Sequence, residues 1–113
     1  VTTLDNGAEE LYVFEGFFDF LSLLAFSGDY QTSSSDFLIL NSLSFFEGAW
    51  EYMEKHRLVN LFLDRDETGR RFTGYACSLS SCHYDRSALY EGFKDLNEWL
   101  ASKGKIKQNR YGK

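Results

Sequence analysis

The chain has 113 residues, 43% of them hydrophobic and 26% charged, which is the size of one domain and the balance of an ordinary globular fold. A disordered, collagen-like or coiled-coil chain is excluded, and no apolar run approaches the roughly 20 residues of a membrane span. The net charge of -5 becomes -10 on the remainder once Lys103, Lys105, Lys107, Arg110 and Lys113 are set aside. Such an acidic body argues against a nonspecific basic surface for phosphate, but it leaves room for carboxylates that hold a divalent metal facing phosphate. The basic end reads as a solvated terminus. Cys77 and Cys82 are too few for a disulfide scaffold, and no secretory leader is visible, so the expected setting is cytoplasmic with reduced thiols. Proline is absent, and glycine must shape the turns.

Leu11 to Phe14 is a short β-prone apolar run, predicted as a buried strand ending at Glu15-Gly16. Phe17, Phe18, Leu21, Leu24 and Ala25 then recur at helical spacing, predicting a helix to about Phe26 with that stripe inward. Ser27-Gly28-Asp29 stops it, and Gln31 to Ser35 is a polar loop. Phe37 to Leu40 is a second strand, followed by Asn41-Ser42 as turn or cap. Phe45, Phe46, Ala49, Trp50 and Met53 predict a helix ending near His56, which would favour the helix dipole there. Leu58 to Leu63 is a third strand and Asp64 to Gly69 the turn after it. Arg70 to Leu79 reads as a helix with Phe72, Tyr75, Ala76 and Leu79 inside. A weak strand signal lies at Ser81 to Tyr84, and Asp95 to Ala101 reads as a last helix burying Leu96, Trp99 and Leu100.

Continuous apolar strands alternating with amphipathic helices predict an α/β fold, a parallel sheet covered on both faces. Ligands of such folds sit at the carboxyl ends of the strands. Glu15 ends the first strand, and Asp64 and Asp66 end the third, so three carboxylates converge on one sheet edge. Crowded like charges repel, and a divalent cation relieves them; Mg²⁺ takes one or two carboxylates together with water and substrate phosphate. The blander roles are an N-cap for Asp66 and a solvated turn for Glu15.

Three segments carry a family resemblance. LYVFEGFFDFLS (Leu11 to Ser22) resembles the first motif of TOPRIM domains, a strand followed by E-G-x-x-D. LFLDRDETGRR (Leu61 to Arg71) is similar to their second, a strand followed by D-x-D-x-x-G. KDLNEWL (Lys94 to Leu100) is similar to the segment closing the domain in bacterial replicative primases and their mobile-element relatives. The resemblance covers about residues 10–101, the core of a single domain of 1–113 with a basic tail at 102–113. It implies a Rossmann-like sheet of about four mostly parallel strands with helices on both faces. It also implies Mg²⁺- or Mn²⁺-dependent nucleotidyl transfer, the activity of a DNA primase in replication or mobile-element metabolism.

Carried over, Glu15 matches the family's general acid or base, and Asp64 and Asp66 match its metal ligands. Asp19 matches the second acid of the first motif; Lys94, Asp95 and Asn97 fall in the closing one. The implied partners are DNA or RNA, nucleotides, and zinc-binding and helicase-interacting domains of a longer protein, without a membrane. A phosphodiester-cleaving nuclease and a non-catalytic nucleic-acid-binding module are the alternatives on the same fold.

Arg65, Arg70 and Arg71 are candidates for phosphate, or equally solvated helix-end charges. Cys77, Cys82 and His83 lack the spacing and the fourth ligand of a zinc site. Tyr75, Tyr84 and Tyr90 are not expected to be nucleophiles. Phe17, Phe18, Phe45, Phe46 and Trp50 fit core packing better than base stacking.

Overall fold

The computed structural model describes residues 1–26 and 34–111, the side chains of 104–111 excepted. The stop at Ser27-Gly28-Asp29 and most of the loop from Gln31 lie outside the described residues. In chain order come β1 (Thr2–Leu4), β2 (Glu10–Phe14), α1 (Phe17–Phe26), β3 (Asp36–Ile39), α2 (Trp50–Glu54), β4 (Leu58–Phe62), α3 (Glu67–Leu79), β5 (His83–Asp85) and α4 (Leu96–Tyr111). Short 3-10 turns occupy Leu43–Phe45, Glu47–Ala49 and Ser87–Tyr90. The five strands form one sheet in the order β1-β3-β2-β4-β5. β2 to β5 are mutually parallel, as the strand–helix alternation predicts, and β1 adds an antiparallel edge beside β3.

The apolar runs are continuous because the sheet is covered on both faces. Leu11 and Val13 of β2, with Leu38, Val59 and Leu61, pack towards Phe46, Met53 and Ala76. Tyr12 and Phe14, pointing the other way, join Phe20, Leu23, Phe37, Ile39, Phe62, Tyr90 and Leu96. From β2 the chain crosses through α1 to β3 on one side, then through α2 to β4 on the other. The strand order therefore reverses around β2, and a crevice opens beyond its carboxyl end.

Several expectations are corrected. The buried side of α1 is Asp19, Phe20, Ser22 and Leu23, while Phe17, Phe18, Leu21 and Leu24 are exposed. The helix is apolar nearly all round, so periodicity alone does not fix its phase. Phe45 is exposed too, because the segment expected to form one helix is broken into two 3-10 turns and a short α2. α3 starts three residues earlier than Arg70 because Asp66 caps it, accepting a hydrogen bond from the Gly69 amide at 2.8 Å. It packs through Gly69, Thr73 and Ala76, leaving Tyr75 and Leu79 exposed. α4 continues to Tyr111 rather than stopping at Ala101, taking in most of the expected tail. His56 lies just past the end of α2, its Nδ1 3.0 Å from the Tyr52 carbonyl in the last turn, and its Nε2 also lies 2.7 Å from Oδ2 of buried Asp36. The amides of Asn6 and Ala8 also donate to Asp36.

Candidate active site

β2 and β4 are adjacent, with Phe14 opposite Phe62, so the turns that follow them meet. Glu15 Oε1 accepts a hydrogen bond from the Asp64 amide at 3.2 Å, which joins the first and second motifs directly. Asp64 itself is largely covered, its side chain 12% exposed, and the ammonium of Lys94 stands 4.0 Å from its Oδ2. Gly69 is the residue that lets this turn close. A Cβ there would overlap the carbonyl of Asp64, so any other side chain would push α3 off the end of β4.

The closing segment folds back onto the same edge. The Arg65 amide donates to the Lys94 carbonyl at 2.6 Å, and the Asn97 amide donates to Asp19 Oδ1 at 3.1 Å. Asp95 accepts from the Glu98 amide at 2.8 Å and starts α4 as a cap does. Ser22 donates to Asn97 Oδ1 at 3.1 Å, tying α1 to α4. Tyr90 donates its hydroxyl to the Leu63 carbonyl, holding the end of β4 from beneath; this buried ring is a structural prop.

Glu15, Gly16, Phe17, Phe18, Asp19, Asn41, Ser42, Asp64, Asp95 and Asn97 line one cleft of about 350 Å³. Its electrostatics are strained. Burial, reinforced by Glu15, Asp95 and Asp66, pushes the Asp64 carboxyl up to about 7, against the pull of Lys94. Burial likewise raises Asp19 to about 7, with Asp95 and Asp64 adding to it and the Asn97 amide opposing. Burial raises Glu15, partly offset by the Asp64 amide and reinforced by Asp66 and Asp19. These are acidic groups crowded together with Lys94 offsetting only part of their charge, the setting a cation stabilises.

The hard oxygen donors suit Mg²⁺ or Mn²⁺. Among the described residues no three acid, histidine or cysteine side chains are gathered tightly enough to cage an ion, but Mg²⁺ commonly takes only one or two carboxylates. Asp66 spends one oxygen on the α3 cap, so the cap and ligand readings of that residue are compatible.

Of the arginines, Arg65 turns away: its Nη1 donates to the carbonyl and hydroxyl of Ser87 at 3.0 and 3.2 Å. Arg70 lines a separate cavity behind Asp64 with Thr73, Cys77 and Asp85, and Arg71 a third beside Glu47 and Tyr75. Cys77 and Cys82 are free, with Cys82 Sγ 3.4 Å from His83 Nδ1. The sequence pattern placed Asn41 and Ser42 as turn or cap residues, and Ser42 does cap the 3-10 turn that follows it, accepting from the Ser44 amide; Phe17 and Phe18 were expected in the core. Asn41, at φ 68°, sits beyond the end of β3, and its amide donates to the Glu15 carbonyl at 2.9 Å. The strand-end rule, applied to β3 as well, is the signal that would have found it.

The Toprim-like family profile matches residues 12–100, and the chain belongs to that family. No curated protein sequence matches it. Among solved structures, it is similar to the primase fragment of the bacteriophage T7 primase-helicase protein (TM-score 0.63, 20% identity), covering 94% of this chain and 44% of that one. A chain of the T7 lagging-strand DNA polymerase complex with primase domains, an RNA/DNA hybrid and dTTP gives the same TM-score and identity, with 54% of that chain covered. The chain thus spans about half the length of these relatives, and at this identity the likeness is one of fold. Among the described residues no helix is long and apolar enough to cross a membrane.

Proposed function

We propose that this chain is the Mg²⁺-dependent catalytic domain of a primase-type nucleotidyltransferase, joining nucleotides on a DNA template. The observation that carries the reading is the meeting of Glu15 and Asp64 at the switch point of a Toprim-like sheet, both carboxyls raised. The closing Lys94–Leu100 segment and the fold likeness to the T7 primase fragment favour primase over nuclease chemistry.

Asp64 and Asp66, with Glu15 beside them, would hold the ion. When bound, it supplies charge neutralisation at phosphate oxygens. Glu15, its carboxyl raised by burial and the neighbouring acids, is suited to exchange a proton with a 3′ oxygen. Asp19 fixes the start of α4 through the Asn97 amide. Lys94 offsets part of the charge on Asp64 and is placed to meet a phosphate. Nucleotides and DNA or RNA are the partners, with zinc-binding and helicase-interacting domains in the full-length protein.

Titration with Mn²⁺, followed by backbone NMR, tests the site. Selective broadening of residues 15–19 and 64–69 is expected; uniform or absent broadening refutes it. With the site established, primer synthesis from nucleoside triphosphates on single-stranded DNA by the full-length protein, lost in Glu15→Gln, supports the primase reading. Metal-dependent strand cleavage without synthesis makes the chain a nuclease, and metal binding with neither activity makes it a binding module.

A further inference from the structure

Phe17 and Phe18 stand at the start of α1 with 48% and 68% of their surface exposed. Their rings lie 6.3 Å apart at 70° to one another. Phe17 also leans on the buried Phe20 ring at 5.8 Å, so the pair is braced from below. Both line the same cleft as Glu15, Asp64 and Asp95. The cleft lining therefore combines carboxylates with two exposed phenyl rings. At about 350 Å³ it lies at the lower end of the roughly 300–1,000 Å³ of small-molecule clefts.

With a divalent cation on the carboxylates, a ligand matching this lining has a flat apolar part and an anionic part that meets the ion. Aromatic rings stack on any nucleobase because every base presents a π-face. A protein partner is the weaker fit, because interface cores are depleted of charge, and covering these rings would bring the neighbouring acids under the same cover. We infer that Phe17 and Phe18 form the base-binding wall of the site, stacking on the base of the nucleotide whose phosphates face the Glu15–Asp64 edge. The inference rests on the nucleotidyl-transfer reading of that edge. Leu21 and Leu24 continue the exposed apolar stripe along α1 but do not line the cleft.

The test compares ATP with inorganic tripolyphosphate, which has the phosphates and no base, by calorimetry with the purified chain and Mg²⁺. The parent should bind ATP roughly 5- to 150-fold more tightly than tripolyphosphate, the range of one base stack. Phe17→Ala/Phe18→Ala should bring ATP down to the tripolyphosphate level and leave tripolyphosphate unchanged; Phe17→Tyr/Phe18→Tyr should restore the difference. Circular dichroism melts check that the fold survives, and Phe18→Ala alone keeps the test open if the double variant is unstable.

The same comparison with a deoxythymidine pentanucleotide separates two sources of the base. Loss of ATP affinity assigns the wall to a free nucleotide, and loss of pentanucleotide affinity alone assigns it to a strand; both support the wall. Equal affinity of the parent for ATP and tripolyphosphate, with pentanucleotide binding unchanged in the alanine variants, overturns it. A failure of the metal reading looks different. Tripolyphosphate binding would then be indifferent to Mg²⁺ and to Asp64→Asn, while the aromatic-dependent ATP advantage stood.

Discussion

Asp64→Asn should stabilise the metal-free protein and weaken its response to Mg²⁺. The Asp64 carboxyl is raised from 3.8 to about 7, by burial first and then by Glu15, Asp95 and Asp66. At about 1.4 kcal/mol per pH unit, ionising it in the folded chain at neutral pH is unfavourable by at most about 4 kcal/mol. The repulsion is shared with the other acids, and asparagine leaves a polar amide half-covered, so a net gain of about 1–2 kcal/mol is expected. For a domain of this size that is a rise of about 4–8 °C in melting temperature.

The folded chain holds this proton more tightly than the unfolded one. Stability contributed through Asp64 is therefore complete below 3.8 and is lost as pH rises through about 7. The gap between variant and parent should accordingly be widest near pH 8 and shrink towards pH 5. If Mg²⁺ binds the parent with a dissociation constant of about 1 mM, about 10 mM of the ion stabilises it by about 1.4 kcal/mol and closes most of the gap. Paired thermal melts in EDTA and in Mg²⁺, at both pH values, check this. A variant that melts below its parent in EDTA at pH 8, or a gap insensitive to both pH and Mg²⁺, refutes the reasoning.

Gly69→Ala should destabilise the fold by about 2–4 kcal/mol, read by urea denaturation, because the added methyl meets the Asp64 carbonyl rather than open space. Asp36→Ala should lose about 3–5 kcal/mol in the same assay, since it leaves buried His56 without its carboxylate partner and the Asn6 and Ala8 amides without their acceptor. Burial pushes the Asp36 carboxyl up, but the His56 bond and the two amides outweigh it and hold it below 3.8. Its contribution is therefore present above pH 3.8 and lost as pH falls through its lower folded value, which acid titration of the parent by circular dichroism should show as a transition missing from the variant. Arg65→Ala should lose about 1–2 kcal/mol through its Ser87 bonds while leaving Mn²⁺ broadening at 64–69 intact; loss of that broadening would give Arg65 a role in the site itself.

The strand–helix alternation and the acids at strand ends were legible because both follow from local pattern: apolar runs fix strands, and a parallel sheet sends their carboxyl ends to one edge. The phase of α1 was not. Its sequence offers apolar residues on every side, and the buried position 19 is an aspartate held by the Asn97 amide, 78 residues away. The same non-locality hid the Asp36–His56 pair, which no periodicity announces. The broken helix at 43–54 defeated a reading by spacing because Phe45 and Phe46 satisfy a helical stripe that only Phe46 uses. α4 ran past Ala101 unseen because a lysine-rich run carries no apolar period. Of the candidate site, the acids were readable; that Phe17 and Phe18 line the same cleft required knowing which way they face.

The bond from the Arg65 amide to the Lys94 carbonyl has a dynamic consequence. It couples the turn bearing Asp64 and Asp66 to the segment that launches α4, which is also pinned to α1 through Asp19 and Ser22. The two ends of the chain's functional half thus belong to one cooperative opening unit. Fraying that begins in the lysine-rich run of α4 reaches the carboxylates only by first undoing the start of that helix. Amide hydrogen exchange should therefore slow stepwise from the chain end inward, and Arg65 should exchange together with Asn97, although 32 residues separate them. The second half of α4 can then be loose, or can be taken up by another part of a longer protein, without disturbing the geometry at the end of β4.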